Sequence, residues 1–540
     1  MVASPAPTHD PAEAGLAADG TIPAALRRGH WMNLLRLHAA VEPDGVAVRF
    51  EGADTTWSGL AAAMEAGAAA LSRRGVGPGD RVLLLGLNRP EYVEALLAIH
   101  ALGAIAVPIN VRLAPPEIAY IVDDADADLL LADAVFAPAV DAVRGLTGRL
   151  REVVWLDAAP EAAAGGGEDA AWPALVAQGT EGFAAPDVAE DATALIMYTS
   201  GTTGRPKGAM LDHLNMLAQV RTSQLTSEPP SADDVMYLSA PLFHIAGTAN
   251  LIAAIVNRVR VVLHPLGTFD PVAVVEAYER EGATTAFNVP QQWQAICAVP
   301  GVRERRLRLR TISWGAAPAS PTLLRLMAET FPQALIVAAF GQTEMSPVTC
   351  VLRGEEALER IGSVGRPIPW IAARVVDPAM EDVAPGEVGE IVYRGPTLMR
   401  GYWRRPDATA EAFAGGWFHS GDLVRQDADG YVWVVDRVKD MIISGGENIY
   451  CTEVENELFA HPAVLEAAVW GRPDERWGEV PAAGVVLREG HSLGIEELRA
   501  WLEGRLAHFK IPRELHIVDA LPRNASGKVR KVELRGLTER

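Results

Sequence analysis

The chain has 540 residues, too many for a single hydrophobic core, so two or more domains are expected. Its hydrophobic content of 49% with scattered charge is that of an ordinary globular protein. The formal net charge of −21, from 48 basic and 69 acidic residues, argues against a nucleic-acid partner.

In chain order, residues 1–20 are rich in Ala, Pro and Gly and are expected to be disordered. Helix and strand patterns then alternate. A helix is expected near Trp57–Arg74, a strand over Arg81–Gly86, a helix near Pro90–Leu102 and a strand near Ile105–Ile109. Ala158–Glu168 reads as a linker. Further strands follow at Leu195–Tyr198, Thr285–Asn288, Thr311–Trp314 and Leu335–Phe340, and short apolar strands between helices indicate α/β layers. Ala372–Tyr393 reads as strands with Pro/Gly turns, a β-rich subdomain. After the strand Val432–Val435 comes a polar hinge at 436–440. A helix at Cys451–Ala460, a strand at Val464–Trp470, a helix at Gly494–Ala507 and a polar tail complete the chain. The expected fold is α/β. A large multi-subdomain N-terminal domain spans 21–436, a hinge 437–440, and a small mobile α+β C-terminal domain 441–540.

Cys297, Cys350 and Cys451 are far apart with no CxxC spacing, which argues against a disulfide framework or zinc site and suits a reducing compartment. No Lys or Arg precedes Arg27, so no secretory leader is expected. The apolar stretch Tyr92–Asn110 is broken by Glu94, His100 and Pro108 and is too short to span a bilayer. A cytoplasmic protein is expected. The arginine-rich run Arg303, Arg305, Arg306, Arg308 and Arg310 reads as a solvated edge. Only five of the basic residues are lysine: Lys207, Lys439, Lys510, Lys528 and Lys531. Such bias marks the lysines as candidates for positions needing a compact ammonium, although Lys531 is attributed to chance.

The most informative segment is Tyr198–Gly208, YTSGTTGRPKG. Thr199, Ser200, Gly201, Thr202, Thr203 and Gly204 leave backbone N–H groups and hydroxyls unshielded, and Arg205 and Lys207 add positive charge. A flexible turn shares this composition, but eleven residues in this order are far more constrained. No GK[ST] closes the segment and no G-x-G-x-x-G precedes a helix, so neither a P-loop nor a dinucleotide fold is supported. Phe340-Gly341-Gln342-Thr343-Glu344 follows an apolar strand, and a Glu at a strand end beside a Thr can hold Mg²⁺ through oxygen ligands. Alone, that pair would be a surface turn. Asp422 follows a Gly turn in Gly416–Asp422, where it can cap the turn or accept hydrogen bonds from ribose hydroxyls. Lys528, in Ser526-Gly527-Lys528, is by itself a solvated turn residue.

Tyr198–Gly208 resembles the signature loop of the adenylate-forming superfamily, which includes acyl-CoA synthetases, peptide-synthetase adenylation domains and firefly-type luciferases. The resemblance runs from about Trp57 to the carboxy end. It implies Mg²⁺ binding by Glu344, a place for Thr343 near the α-phosphate, and packing of the Gly315-Ala316-Ala317 loop on adenine and the acyl pocket. It further implies ribose binding by Asp422 with Arg437 as second contact, and adenylation by Lys528. Lys439 becomes the hinge pivot, and Gly445-Gly446 the loop that forms the pantetheine tunnel. At Cys451 relatives usually carry Pro, which is expected to loosen the helix start. Lys510 and Arg472 are candidates for CoA phosphates.

Pro241–Gly247 resembles the acyl-CoA synthetase form of its motif, with His244 as gate of the acyl channel. No Asp is placed there to pair with an α-ammonium, so an amino-acid substrate is not expected. Phe287, Asn288, Trp293, Trp314, Met345 and Val348 are candidate pocket walls. The resemblance implies an ATP-dependent acid–CoA ligase working through acyl-AMP on a fatty acid of medium or long chain. The alternatives are an aryl-acid CoA ligase and a ligase loading an acyl carrier protein. ATP, Mg²⁺ and coenzyme A are the implied cofactors. The oligomeric state stays open.

Overall fold

The computed structural model describes residues 27–158, 170–199, 205–231, 233–315, 317, 319–445, 447–523 and 529–538. The expected disorder at 1–20 lies outside the described residues, as does the linker apart from Ala158. The chain divides into two compact units. One runs to Glu359 and takes in Ile368–Trp370 and Pro396–Pro406. The other holds Arg360–Pro367, Ile371–Gly395 and the chain from Asp407 on. In this division the β-rich segments group with the carboxy-terminal residues.

In the first unit, one sheet orders its strands Gly401–Tyr402, Lys207–Asp212, Thr193–Thr199, Ile105–Pro108, Arg81–Leu85, Leu129–Ala132, Glu152–Trp155 and Ala170–Ala171. From Thr193–Thr199 onward in this order neighbours are parallel, while the first two pairings are antiparallel. Ile105–Pro108 and Leu129–Ala132 are buried at every position, as strands of a parallel sheet covered on both faces must be. Truncating a fully buried side chain here, such as Leu83, costs about 2–5 kcal/mol. The covering helices follow local signals. Trp57–Arg73 starts where the Thr56 hydroxyl accepts from Gly59 N–H at 3.1 Å, and Pro90–Ala101 starts on a proline.

A second sheet of this unit orders Val348–Arg353, Leu335–Gly341, Thr311–Gly315, Thr285–Phe287, Val235–Leu238, Arg260–Leu263, Val46–Phe50 and Ala53–Thr56. Its inner pairings are parallel and the pairing at each end is antiparallel. The arginine-rich run beside it is engaged by carboxylates. Arg305 meets Glu279 at 2.9 Å, and Arg310 meets Asp234 at 2.5 Å and Glu228 at 2.8 Å.

In the second unit, strands Ala372–Val376, Val388–Arg394, Phe418–Gln426, Val432–Arg437 and Ser363–Pro367 pair antiparallel in that order. Another sheet orders Glu447–Ile449, Ile442–Ser444, Gly478–Leu487 and Val464–Asp474, with Glu514–Ile517 parallel to Gly478–Leu487. Its core joins Val454, Leu458, Val469, Val485 and Leu502. The helix expected over Gly494–Ala507 spans only Ile495–Leu502, because Glu503 turns extended at ψ 130°. The tail expected to be merely polar carries Glu514–Ile517 and a helix, Lys531–Thr538. Among the described residues, no helix is long and apolar enough to cross a membrane.

Candidate active site

Thr193–Thr199 and Lys207–Asp212 form an antiparallel pair in which Thr199 faces Lys207. The two ends of the glycine-rich segment are thereby fixed. Ser200, Gly201, Thr202, Thr203 and Gly204 lie outside the described residues.

Strand Leu335–Gly341 leads into a single turn, Thr343–Met345, that carries Glu344. At Gly341 the backbone passes so close to Pro347 that an added Cβ would lie 2.0 Å from the Pro347 carbonyl oxygen, so glycine alone fits. This approach turns Glu344 inward, where it is buried. Glu344 Oε1 accepts from the Thr199 hydroxyl at 3.2 Å and from the Tyr402 hydroxyl at 3.1 Å. The Lys207 ammonium sits 5.2 Å from the centre of the Tyr402 ring. Thr199, Lys207, Glu344 and Tyr402 therefore converge at the end of one hairpin.

Among the described residues Glu344 has no ion-pair partner, and its two side-chain partners are neutral hydroxyls. Carboxylate and hydroxyl oxygens are hard donors, and Mg²⁺ is commonly held by one or two carboxylates completed by phosphate oxygens and water. The residues present fit that ion. Among the described residues there is no group of three or more His, Cys, Asp or Glu that could hold a metal.

The remaining candidates of this unit are placed as follows. Phe340 and Gly341 end the strand, and Gln342 and Thr343 follow it. Gly315 closes strand Thr311–Gly315 beside Ala339, and Ala317 is exposed. Ala316 and Pro318 lie outside the described residues. His244 is the N-cap of helix Ile245–Val256, its Nδ1 accepting from Ala246 N–H at 3.4 Å. Two candidate pocket walls are committed to internal bonds. Trp293 donates to the Ser313 carbonyl at 2.9 Å, and Asn288 donates to the Tyr278 hydroxyl at 2.7 Å while accepting from Ser239 at 3.1 Å. Trp314 is buried, and its indole N–H has no partner among the described residues.

In the second unit, Asp422 and Arg437 are direct cross-strand neighbours, with the guanidinium Nε 2.7 Å from the Asp422 carboxylate. Asp422 is buried, so the pair presents fixed acceptors and donors rather than two mobile surface groups. His419, in the same segment as Asp422, binds Glu390 at 2.8 Å. Lys439 is exposed on the turn after Arg437. Gly445 adopts φ +61° and donates to the Trp477 carbonyl at 2.7 Å; a side chain there would run into the Trp477 ring. Gly446 and Lys528 lie outside the described residues. Lys510 is held by both oxygens of Glu453 at 2.7 and 2.8 Å, and Arg472 by Glu514 at 3.2 Å, so both side chains are already paired.

Cys451 does not loosen its helix. Asp436 Oδ2 accepts from Cys451 N–H at 2.5 Å, a bond for which proline has no donor. The Cys451 Sγ donates to the Asp440 carbonyl at 2.9 Å, and burial pushes its thiol up, away from the thiolate form. Lys531, assigned to chance from sequence, ion-pairs with Glu455 at 2.8 Å under that same helix. Sequence reasoning also missed Tyr402. Its signal was an aromatic pair after Gly401, whose meaning appears only when the chain returns to Lys207–Asp212.

Comparison with known proteins identifies the family. The AMP-binding enzyme family matches residues 35–403, further toward the amino end than Trp57, and the AMP-binding enzyme C-terminal domain matches 453–528. A feruloyl-CoA synthase of Amycolatopsis sp is 42% identical over 503 residues, covering 92% of this chain and 96% of that protein. An indoleacetate–CoA ligase of Aromatoleum aromaticum is 38% identical, with 93% and 97% covered. The solved o-succinylbenzoate coenzyme A synthetase from Bacillus subtilis, in complex with ATP and magnesium ion, is 32% identical with a TM-score of 0.82, covering 94% of this chain and 99% of that one. The chain belongs to the AMP-binding enzymes, the adenylate-forming superfamily in its acyl-CoA synthetase branch.

Proposed function

We propose that this enzyme is an AMP-forming acid–CoA ligase whose acid carries an aromatic ring. The observation that carries the reading is the convergence of Thr199, Lys207, Glu344 and Tyr402 at the end of one hairpin. In the first half-reaction, the carboxylate attacks the α-phosphorus of ATP, an acyl-adenylate forms and pyrophosphate leaves. In the second, the CoA thiol attacks the acyl carbon, the thioester forms and AMP leaves.

Two anions must meet in the first step, so charge neutralisation and positioning are the main requirements. Mg²⁺, when bound, neutralises phosphate charge. Glu344 would hold that ion, and Thr199 and Tyr402 fix the orientation of the Glu344 carboxylate. Lys207 adds an ammonium at the hairpin end, and Thr343 lies beside the α-phosphate. Asp422 accepts from the ribose hydroxyls with Arg437 beside it. Lys528 is assigned the adenylation step on its Ser-Gly-Lys motif, with 437–440 as the hinge that brings and withdraws it and Gly445-Gly446 lining the thiol's approach. Gly315, Ala316, Ala317, Phe340, Gly341 and Gln342 frame the adenine, and His244 borders the acyl channel.

The acid is the finer part of the proposal. The relatives do not single out a fatty acid; fatty-acid ligases stand among them at lower identity. Feruloyl, indoleacetyl and succinylbenzoyl groups all carry a ring, and those relatives support an aryl acid here. A pyrophosphate-release screen over aromatic, fatty and dicarboxylic acids tests this, followed by thioester detection with free CoA and with a carrier protein. Turnover confined to fatty acids, or thioester on the carrier protein alone, would overturn it.

A further inference from the structure

The phosphate loop needs its two ends held at a fixed spacing, because Thr199 and Lys207 must present hydroxyl and ammonium to the same anion. One carboxylate, Asp124, lies at the centre of a network that reaches both ends. Asp124 and Tyr120 sit four residues apart on helix Pro115–Ala125 and so share a face. The Tyr198 hydroxyl, one residue before Thr199, donates to Asp124 Oδ2 at 2.8 Å. The Tyr120 hydroxyl donates to the carbonyl of Pro206, one residue before Lys207, at 3.1 Å. Arg405 bonds both Asp124 and the Tyr120 hydroxyl. Trp403 continues the network, its indole N–H donating to the Asp124 carbonyl at 3.1 Å and its backbone N–H to the Gly208 carbonyl at 2.7 Å. The Asp124 side chain is only 7% exposed, so its charge is met by these groups rather than by water.

We propose that Asp124, acting through Tyr198, Tyr120 and Arg405, is a positioning residue that clamps both stems of the phosphate loop and thereby sets the affinity for nucleotide. The inference rests on the ligase reading. The adjacent carboxylate supplies the control, since Asp123 bonds Thr147 instead of either stem.

The test measures binding of α,β-methylene ATP with Mg²⁺ by calorimetry, beside the thermal midpoint, for the full chain. Tyr198→Phe and Asp124→Asn should each weaken binding about ten-fold, the scale of one lost hydrogen bond to a charged group. The double variant should lose little more than either alone, since the two residues share one bond. Asp123→Asn should bind as wild type. The midpoints of all variants should stay close to wild type, and the KM for the acid should not change. Variants that bind nucleotide as tightly as wild type, or whose weakened binding only tracks a lowered midpoint, would overturn the clamp. A wild-type chain that binds no nucleotide would overturn the ligase reading and the clamp with it.

Discussion

The Thr199 hydroxyl donates to Glu344 Oε1 at 3.2 Å across 145 residues of sequence, fixing the end of the phosphate-loop strand to a carboxylate on the neighbouring sheet's loop. A buried carboxylate oriented by two hydroxyls is prepared for a cation. Replacing it by an amide of the same shape isolates the charge. Glu344→Gln should lower acid-dependent pyrophosphate release on the order of 10²–10³-fold. Tyr402→Phe leaves the charge and should cost roughly ten-fold, the scale of one hydrogen bond to an ionised group. Chelation of Mg²⁺ should abolish release in the wild type, and added Mg²⁺ should restore it. Equal activity of Glu344→Gln and wild type would remove Glu344 from its assigned role.

Lys528 offers a separation of the two half-reactions. If its ammonium serves only adenylation, Lys528→Ala should abolish pyrophosphate release yet still form thioester from supplied acyl-adenylate and CoA. The two rates are measured separately in single-turnover assays. Equal loss of both would show that the lysine serves a different purpose.

Three buried histidines predict an acid limb in stability. Burial lowers the pKa of His30, of His100 to about 3, and of His213 well below 6.5, neighbouring histidines adding to the effect on His100 and His213. Folded, they stay neutral where the unfolded chain binds protons, so stability is lost as pH falls below about 6.5. Each contributes at most about 1.4 kcal/mol per pH unit. Glu94 acts in the opposite sense. Burial raises it to about 7, so it holds a proton in the fold that the unfolded chain releases, and its contribution is lost as pH rises from about 4.5 to 7. Burial lowers His38 and His264 as well, and raises Asp133, Asp212 and Asp436 alongside Glu94, so the histidine share of the limb is what a substitution isolates. Among the described residues both ring nitrogens of His213 lack partners, and its ring packs 4.6 Å from that of Trp31. His213→Phe should therefore flatten the acid limb while keeping the packing. An unchanged limb would show that these histidines do not govern it.

Much of this was legible in the sequence where the signal is local. The alternation of apolar strands and helices placed Arg81–Leu85, Pro90–Ala101 and Leu335–Gly341 within a residue or two, because buried parallel strands must be apolar throughout. Asp422 and Arg437 were both named from motifs, and they prove to be cross-strand neighbours. What escaped depends on contacts between distant segments. Tyr402 gains its meaning from Glu344, Asp436 from Cys451, and Lys531 from Glu455, pairings that no periodicity encodes. The pocket-wall expectation for Trp293 failed to anticipate its bond to Ser313 for the same reason: a large aromatic reads alike whether it lines a cavity or fills a core.

The most direct test of the account is isotope exchange between pyrophosphate and ATP, run on the wild-type chain with an aryl carboxylic acid, Mg²⁺ and no CoA. Formation of an acyl-adenylate is reversible before the thiol arrives, so the account predicts exchange that depends strictly on the acid and ceases when Mg²⁺ is chelated. Exchange absent with every acid tried, or nucleotide converted to ADP and phosphate instead, would contradict it.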